Sequence, residues 1–243
     1  MKLTSILLLA GFCLHLSPAR GQSSRFTYGI QVQTRISDLV FHHPNSPGYE
    51  KAVRESATWR FSPGIAPWVR YQLNDRVGLQ AGLGYELSGY RLKEFVLRTS
   101  TPQNPEPVRV GTSKGTKHYH DLNLSLGVKV KPFKKAKRFY LSGGFSQLIN
   151  IGRYKTIIIN YDNGDRYKET EPLVSDSPTV VNKPYLTPVN VRADIGFGFE
   201  GKAGANARWY IEPMFGFTLL PVSTESGGEW RQYVTGINIG MAL

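Results

Sequence analysis

Cysteine is nearly absent from this chain of 243 residues, because Cys13 is the only one. Cys13 lies within an apolar run near the N-terminus, so disulfides are not expected to hold the fold together. No later stretch approaches ~18 consecutive apolar residues, which argues against a transmembrane helix. Amphipathic helical runs are lacking as well. The sequence therefore favours a fold built from β-strands.

The N-terminus has the pattern of a secretory signal peptide. Lys2 supplies a positive charge, residues 3–16 are mostly apolar, and residues 19–21 (A-R-G) place small side chains before a cut. We predict cleavage after Gly21 and one domain over residues 22–243. That domain is basic, but its Lys and Arg residues are dispersed and the chain is exported, so we expect no nucleic-acid partner.

The clearest strand pattern runs from Val77 to Leu87. Apolar residues there alternate strictly with small or polar ones, which places the two sets on opposite faces of a strand. The run spans eleven residues, whereas an ordinary strand has ~5–6 residues. A tilted strand that crosses a bilayer needs ~9–11 residues. The pattern predicts a transmembrane strand.

Similar alternation recurs along the chain. The eight predicted strands lie at residues 26–36, 57–73, 77–92, 118–131, 139–151, 189–200, 209–219 and 230–243. Short turns alternate with long loops, predicted at residues 37–56, 98–115 and 152–188, and residues 156–161 could form a small hairpin within the last loop. This alternation of short and long connections predicts an all-β, eight-stranded, antiparallel up-and-down transmembrane β-barrel with short periplasmic turns and long extracellular loops.

The two faces of these strands differ in charge. The apolar face is nearly free of charge, and a charge there would be costly in lipid. The other face mixes small residues with pairable charges, and these predict a lumen network of Arg35, Arg70, Glu86, Lys129, Arg192, Asp194 and Glu212. Such charges favour a plugged lumen, with a proton or ion path as the alternative. A soluble lipocalin-like carrier would have the opposite orientation, with its apolar face inside.

Aromatic residues occur near many of the predicted strand ends. This position is typical of the girdles that a barrel places at the two membrane interfaces. The residues predicted to form the girdles are Trp59, Tyr71, Tyr90, Tyr119, Phe139, Tyr140, Trp209 and Trp230.

His118 and His120 are the sharpest candidates for chemistry, because two histidines at this spacing share a strand face. A metal site needs three or four convergent ligands, so a solvated rim is the favoured interpretation. No serine stands beside a histidine in a recognisable motif. We therefore predict no catalytic residue, no cofactor and no metal.

Several glycine-rich alternating stretches resemble the PorT-like outer-membrane β-barrel family of Gram-negative bacteria, related in architecture to the small OmpA- and OmpX-type barrels. The stretches are Y-G-I-Q-V-Q-T-R-I-S-D-L at 28–39, L-Q-A-G-L-G-Y-E-L-S-G-Y at 79–90, H-D-L-N-L-S-L-G-V-K-V-K at 120–131, R-F-Y-L-S-G-G at 138–144 and G-I-N-I-G-M-A-L at 236–243. The resemblance implies a bacterial outer-membrane location and a partner in an envelope or secretion complex.

These observations together favour a non-enzymatic integral outer-membrane protein with a structural or accessory role that presents extracellular loops. Outer-membrane lipids and the barrel-assembly machinery are its other expected partners. The alternatives are a narrow pore or small-ligand transporter, and, with less support, a lipid-modifying barrel enzyme or a lipocalin-like carrier.

Overall fold

The structure is a computed structural model that describes residues 25–42, 47–101, 104–133, 136, 138–172, 189–204, 207–225 and 228–243. The predicted signal peptide lies outside these residues. The described chain contains no helix that is long and apolar enough to cross a membrane.

Twelve strands and one helix make up the described chain. They are β1 (Phe26–His42), α1 (Pro47–Ser56), β2 (Ala57–Thr58), β3 (Arg60–Gln72), β4 (Val77–Leu92), β5 (Phe95–Thr101), β6 (Asn104–Val130), β7 (Phe139–Tyr161), β8 (Arg166–Pro172), β9 (Val189–Lys202), β10 (Arg208–Thr218), β11 (Ser223–Glu225) and β12 (Gly228–Ala242).

Eight of the strands pair into a closed ring. Their order is β1, β3, β4, β6, β7, β9, β10 and β12, and every pairing is antiparallel. The last strand, β12, pairs back onto β1. The predicted eight-stranded antiparallel barrel is confirmed. The four remaining strands are additions: β2 pairs with β4, β5 with β6, β8 with β7, and β11 with β12.

The apolar face of each barrel strand points outward. In β6, Leu124, Leu126 and Val128 are exposed, whereas Asn123 and Lys129 on either side of this run are buried in the lumen. A bilayer-spanning barrel presents this surface to lipid. The orientation confirms the interpretation of the two faces and is opposite to that of a lipocalin-like carrier.

The sheet continues beyond the barrel at the long-loop end. At ~3.3 Å per residue, the 27 residues of β6 extend over roughly 90 Å. This length is about three times what a bilayer core requires. We call the four-stranded extension the paddle; it consists of β5, residues 104–117 of β6, residues 154–161 of β7, and β8.

The prediction of a long loop at residues 98–115 was wrong, because β5 and the start of β6 form a hairpin there. β5 continues the line of β4 beside β6. Arg91 of β4 pairs with Thr116 of β6, and Phe95 of β5 pairs with Ser113 of β6. Pro105 and Pro107 are typical of a loop. In the described chain, however, they lie where β6 pairs with β5 alone, and an edge tolerates the missing N–H groups.

The other two long connections also contain secondary structure. The predicted hairpin at residues 156–161 is confirmed, since β7 turns back into β8 at Gly164, whose φ of 95° suits glycine. The rest of that loop, residues 173–188, lies outside the described residues. Within the predicted loop at 37–56, the structure forms α1, which the sequence analysis missed. Pro47 begins this polar helix, a position that suits the fixed φ of proline.

Glycines make room for aromatic rings inside the barrel near the short turns. A methyl group at any of three glycines would overlap a ring from a neighbouring strand. The pairs are Gly29 with Trp68, Gly198 with Tyr140, and Gly240 with Tyr210. The strand face that carries small residues in the sequence is therefore the surface on which these rings pack.

The substitution Gly198→Ala should destabilise the barrel by about 1–3 kcal/mol, because the added methyl overpacks the Tyr140 ring. The matched control is Gly143→Ala, whose methyl would meet only the Asp194 carbonyl oxygen at 3.9 Å, an ordinary contact. The measurement is the temperature at which the folded band converts to the unfolded band on cold SDS gels. Equal conversion temperatures for the two variants would contradict the packing account.

Candidate functional site

Glu86 is the centre of the charge network in the lumen. Its two carboxylate oxygens accept hydrogen bonds from Arg35 Nη1 at 2.5 Å and Arg192 Nη1 at 2.8 Å. All three side chains are almost completely buried. Arg192 Nε also donates to Asp194 Oδ1 at 2.8 Å, and Ser146 Oγ donates to the other Asp194 oxygen at 2.6 Å. The cluster links β1, β4, β7 and β9 across the lumen.

A second cluster lies closer to the short turns. Lys129 Nζ is 2.8 Å from Glu212 Oε2, and both side chains are buried. The same ammonium lies 4.2 Å from the ring centroid of Tyr140 and 4.5 Å from that of Tyr210. Two aromatic faces and one carboxylate therefore surround a single buried cation.

Arg70 belongs to the same end of the lumen but pairs with a residue that the sequence analysis left out of the network. Its Nη1 donates to Glu200 Oε1 at 2.7 Å, and Lys131 Nζ donates to the other Glu200 oxygen at 3.0 Å. The two-residue period places Glu200 on the polar strand face with Arg192, but the predicted network did not include it. Asp121, which accepts from Ser88 Oγ at 3.0 Å, lies on the polar face of β6 and was likewise not included.

The structure places all seven residues of the predicted network in the lumen. Three further charged side chains of the described chain are buried in the lumen with them, and Lys131 joins them at the turn end. The cations are Arg35, Arg60, Arg70, Lys129, Lys131 and Arg192, and the carboxylates are Glu86, Asp121, Asp194, Glu200 and Glu212. Each has an ion-pair or hydrogen-bond partner, which matters because an unpaired buried charge is strongly destabilising.

Two clusters of aromatic side chains also lie in the lumen. One cluster, at the long-loop end, is Phe41, Tyr90, Tyr119 and Trp230. The other, near the short turns, is Trp68, Tyr140 and Tyr210 with Ala242.

These clusters correct the prediction of the interfacial girdles. Four of the predicted girdle residues lie inside the lumen: Tyr90, Tyr119, Tyr140 and Trp230. Position near a strand end gives the height of a side chain but not its face, and the alternation directs these four inward. Trp59 and Trp209 are exposed, as a girdle requires.

A cavity of about 80 Å³ lies in the lumen beside the charge network. Asn123 Oδ1 and Asn238 Oδ1 line the cavity and have no hydrogen-bond partner in the described protein. A water molecule needs roughly 10–15 Å³ by this kind of measure, so several waters fit. Sites for small organic ligands are usually ~300–1,000 Å³.

The two candidate histidines lie on the outer face of β6, away from the lumen. His120 Nδ1 lies 2.5 Å from the Tyr85 hydroxyl, and His118 Nε2 lies 3.3 Å from the Thr156 hydroxyl. The ring of His120 also packs edge-on against Tyr154. Among the described residues there is no group of three or more His, Cys, Asp or Glu side chains that could hold a metal ion.

Family comparison agrees with this architecture. A family model described as an outer membrane protein beta-barrel domain matches residues 20–219, which is most of the chain. The chain belongs to this family. Its barrel is accordingly an outer-membrane barrel, with the short turns on the periplasmic side and the paddle outside the cell.

Several solved structures are similar to this outer-membrane barrel. Ail of Yersinia pestis has 9% identity and a TM-score of 0.36, with 88% of this chain and 98% of Ail covered. Neisserial surface protein A has 7% identity and a TM-score of 0.39, with 90% and 98% covered. The protease OmpT of Escherichia coli has 9% identity and a TM-score of 0.39, with 89% and 95% covered. Such low values support no conclusion about function. No curated protein sequence matches the chain significantly.

The substitution Glu86→Gln should destabilise the outer-membrane barrel by roughly 3–5 kcal/mol, because it leaves the buried Arg35 and Arg192 without their shared carboxylate. The measurement is urea unfolding in detergent, followed by tryptophan fluorescence.

The matched control is Glu229→Gln. Glu229 pairs with Arg231 at 3.3 Å, but both side chains are nearly half exposed. We expect this variant to lose only about 0–1 kcal/mol. A Glu86 variant as stable as the control would show that the buried network does not depend on its central carboxylate.

Proposed function

We propose that this outer-membrane protein is a non-conducting and non-enzymatic barrel that anchors the paddle and the neighbouring loops at the cell surface. Its partner would be another protein of an envelope or secretion complex, as the resemblance to the PorT-like family implies. Outer-membrane lipids fit its apolar outer face, and the barrel-assembly machinery would insert it.

The occupied lumen is the observation that carries this proposal. Charged side chains lie throughout the inside of the barrel, and aromatic clusters lie at both ends. Two cavities lined by lumen residues have volumes of about 80 Å³ and 20 Å³, which leaves room for water molecules but not for a small organic ligand. An eight-stranded barrel has an interior that side chains just fill. The surface outside the membrane is instead enlarged, since β6 and β7 continue well beyond the barrel.

The proposal predicts that the purified, folded protein does not form channels in planar lipid bilayers. Buried charges and aromatic clusters occupy the lumen, so we expect no current steps above those of the detergent alone. A preparation purified in the same way from cells that lack this protein controls for contaminating porins. Reproducible current steps that require the folded protein would instead favour the narrow pore or small-ligand transporter.

The proposal also predicts that the histidines have no catalytic role. His118 and His120 bond to hydroxyl groups of neighbouring strands, and no serine–histidine pair was found in the sequence. We expect His118→Ala and His120→Ala to leave the mass spectrum of the outer-membrane lipids unchanged, as should deletion of the protein. A lipid species that needs the protein and disappears in either variant would support a lipid-modifying enzyme.

A further inference from the structure

The paddle has two sheet edges, and they differ in composition. One edge is β8, with the sequence R-Y-K-E-T-E-P, in which every residue is exposed and four are charged. Charged side chains and proline are what natural proteins use to prevent an edge from pairing with another strand. The β8 edge is therefore protected.

The opposite edge, β5, lacks this protection. Its sequence is F-V-L-R-T-S-T, and Arg98 is its only charged residue. Phe95 is 53% exposed and Val96 is 46% exposed. Within the described part of the chain, β5 pairs on one side only, with β6. The pairing of β5 with β6 shifts register between Leu97 and Arg98 and again between Thr99 and Thr101, so the regular part of the edge is its apolar start, residues 95–97. The seven residues together span roughly 23 Å of backbone with which a further strand can pair.

The two faces beside this edge favour different side chains. One face carries Phe95 and Leu97, which pair across the strands with the small residues Ser113 and Gly111. β7 follows β6 in the sheet and places Ile159 on the same face, because Ile159 also pairs with Ser113. Side chains that share a face of a sheet pack together, so an added strand would place apolar residues here.

The other face carries the exposed Arg98. Arg98 lies opposite Arg109 on β6, and Arg109 already pairs with Asp162, its Nε 3.2 Å from Oδ2. Among the described residues no carboxylate contacts Arg98. An acidic side chain on an added strand would supply that partner.

We propose that the β5 edge binds an extended segment of a partner protein, in which apolar residues alternate with acidic ones. The apolar residues pack beside Phe95 and Leu97, and the acidic residues approach Arg98. This mode is β-strand addition, in which backbone hydrogen bonds supply affinity and alternate side chains supply specificity. The inference rests on the proposed function, because it names the kind of partner that the anchored paddle would bind.

A second copy of this chain in the same membrane does not fit the edge. Two β5 strands that pair antiparallel in one sheet are related by a twofold axis perpendicular to that sheet. The paddle continues the barrel wall, so this axis lies close to the membrane plane. The rotation would place the second barrel in an opposing membrane.

The test uses the full-length folded protein in lipid nanodiscs and fluorescent seven-residue peptides, matched to the seven residues of β5. In one peptide Val alternates with Glu, and in the other Val alternates with Lys. We expect saturable binding of the Val/Glu peptide, measured by anisotropy, with an affinity about tenfold or more above that of the Val/Lys peptide. The substitution Arg98→Glu should reverse this preference.

Two variants locate the site. Phe95→Ser with Leu97→Ser removes the apolar side chains of β5 without changing its charge and should weaken Val/Glu binding by about tenfold or more. Tyr167→Ser, on the protected β8 edge, is the matched control and should leave binding unchanged. The mobility shift on boiling confirms that each variant is folded.

The absence of saturable binding, equal binding of the two peptides, or loss of binding only in the Tyr167 variant would overturn the inference. Channel formation in planar bilayers would instead overturn the proposed function and leave the peptide result intact. The two failures are therefore distinguishable.

Discussion

Hydrogen bonding of the backbone around a closed ring is the constraint on which this structure depends. In lipid, an unpaired backbone N–H or C=O group has no water to bond, so a sheet can cross the membrane only if its last strand pairs with its first. Here β12 pairs with β1 along most of their lengths. Closure at eight strands in turn sets the width of the lumen, and that width allows side chains to fill it.

The contents of the lumen follow from this narrow ring. Near the short turns, large rings pack against glycines, as where Tyr140 packs on Gly198. Buried charged side chains have ion-pair or hydrogen-bond partners, because a single buried ion would be strongly destabilising. Glu86 pairs with two guanidinium groups from different walls of the barrel. The interior therefore acts as a structural core, although its side chains are mostly polar.

Outside the membrane the same sheet meets a different constraint. The ring opens above the barrel, and the strands that continue form the paddle, whose two edges have no further strand among the described residues. Water can satisfy such edges, but they can also pair with other chains. The charged β8 edge and the apolar β5 edge show that this surface is asymmetric. Together with a filled lumen, that asymmetry directs attention to the paddle as the part that binds other proteins.

Local alternation allowed the sequence alone to determine the number of barrel strands, their antiparallel order and the direction of each face. The two-residue period depends only on the chain itself, and it assigned residues such as Arg35 and Lys129 to the lumen. The partners of those charges needed the tertiary structure, because Arg70 and Glu200 meet across 130 residues of sequence. Tyr140 also shows this limit, since its place near a strand end suggested a girdle and its register directed it inward. The paddle was hidden for a related reason: its strands are stabilised by pairing with barrel strands, and prolines near an edge resemble a loop until that pairing is known.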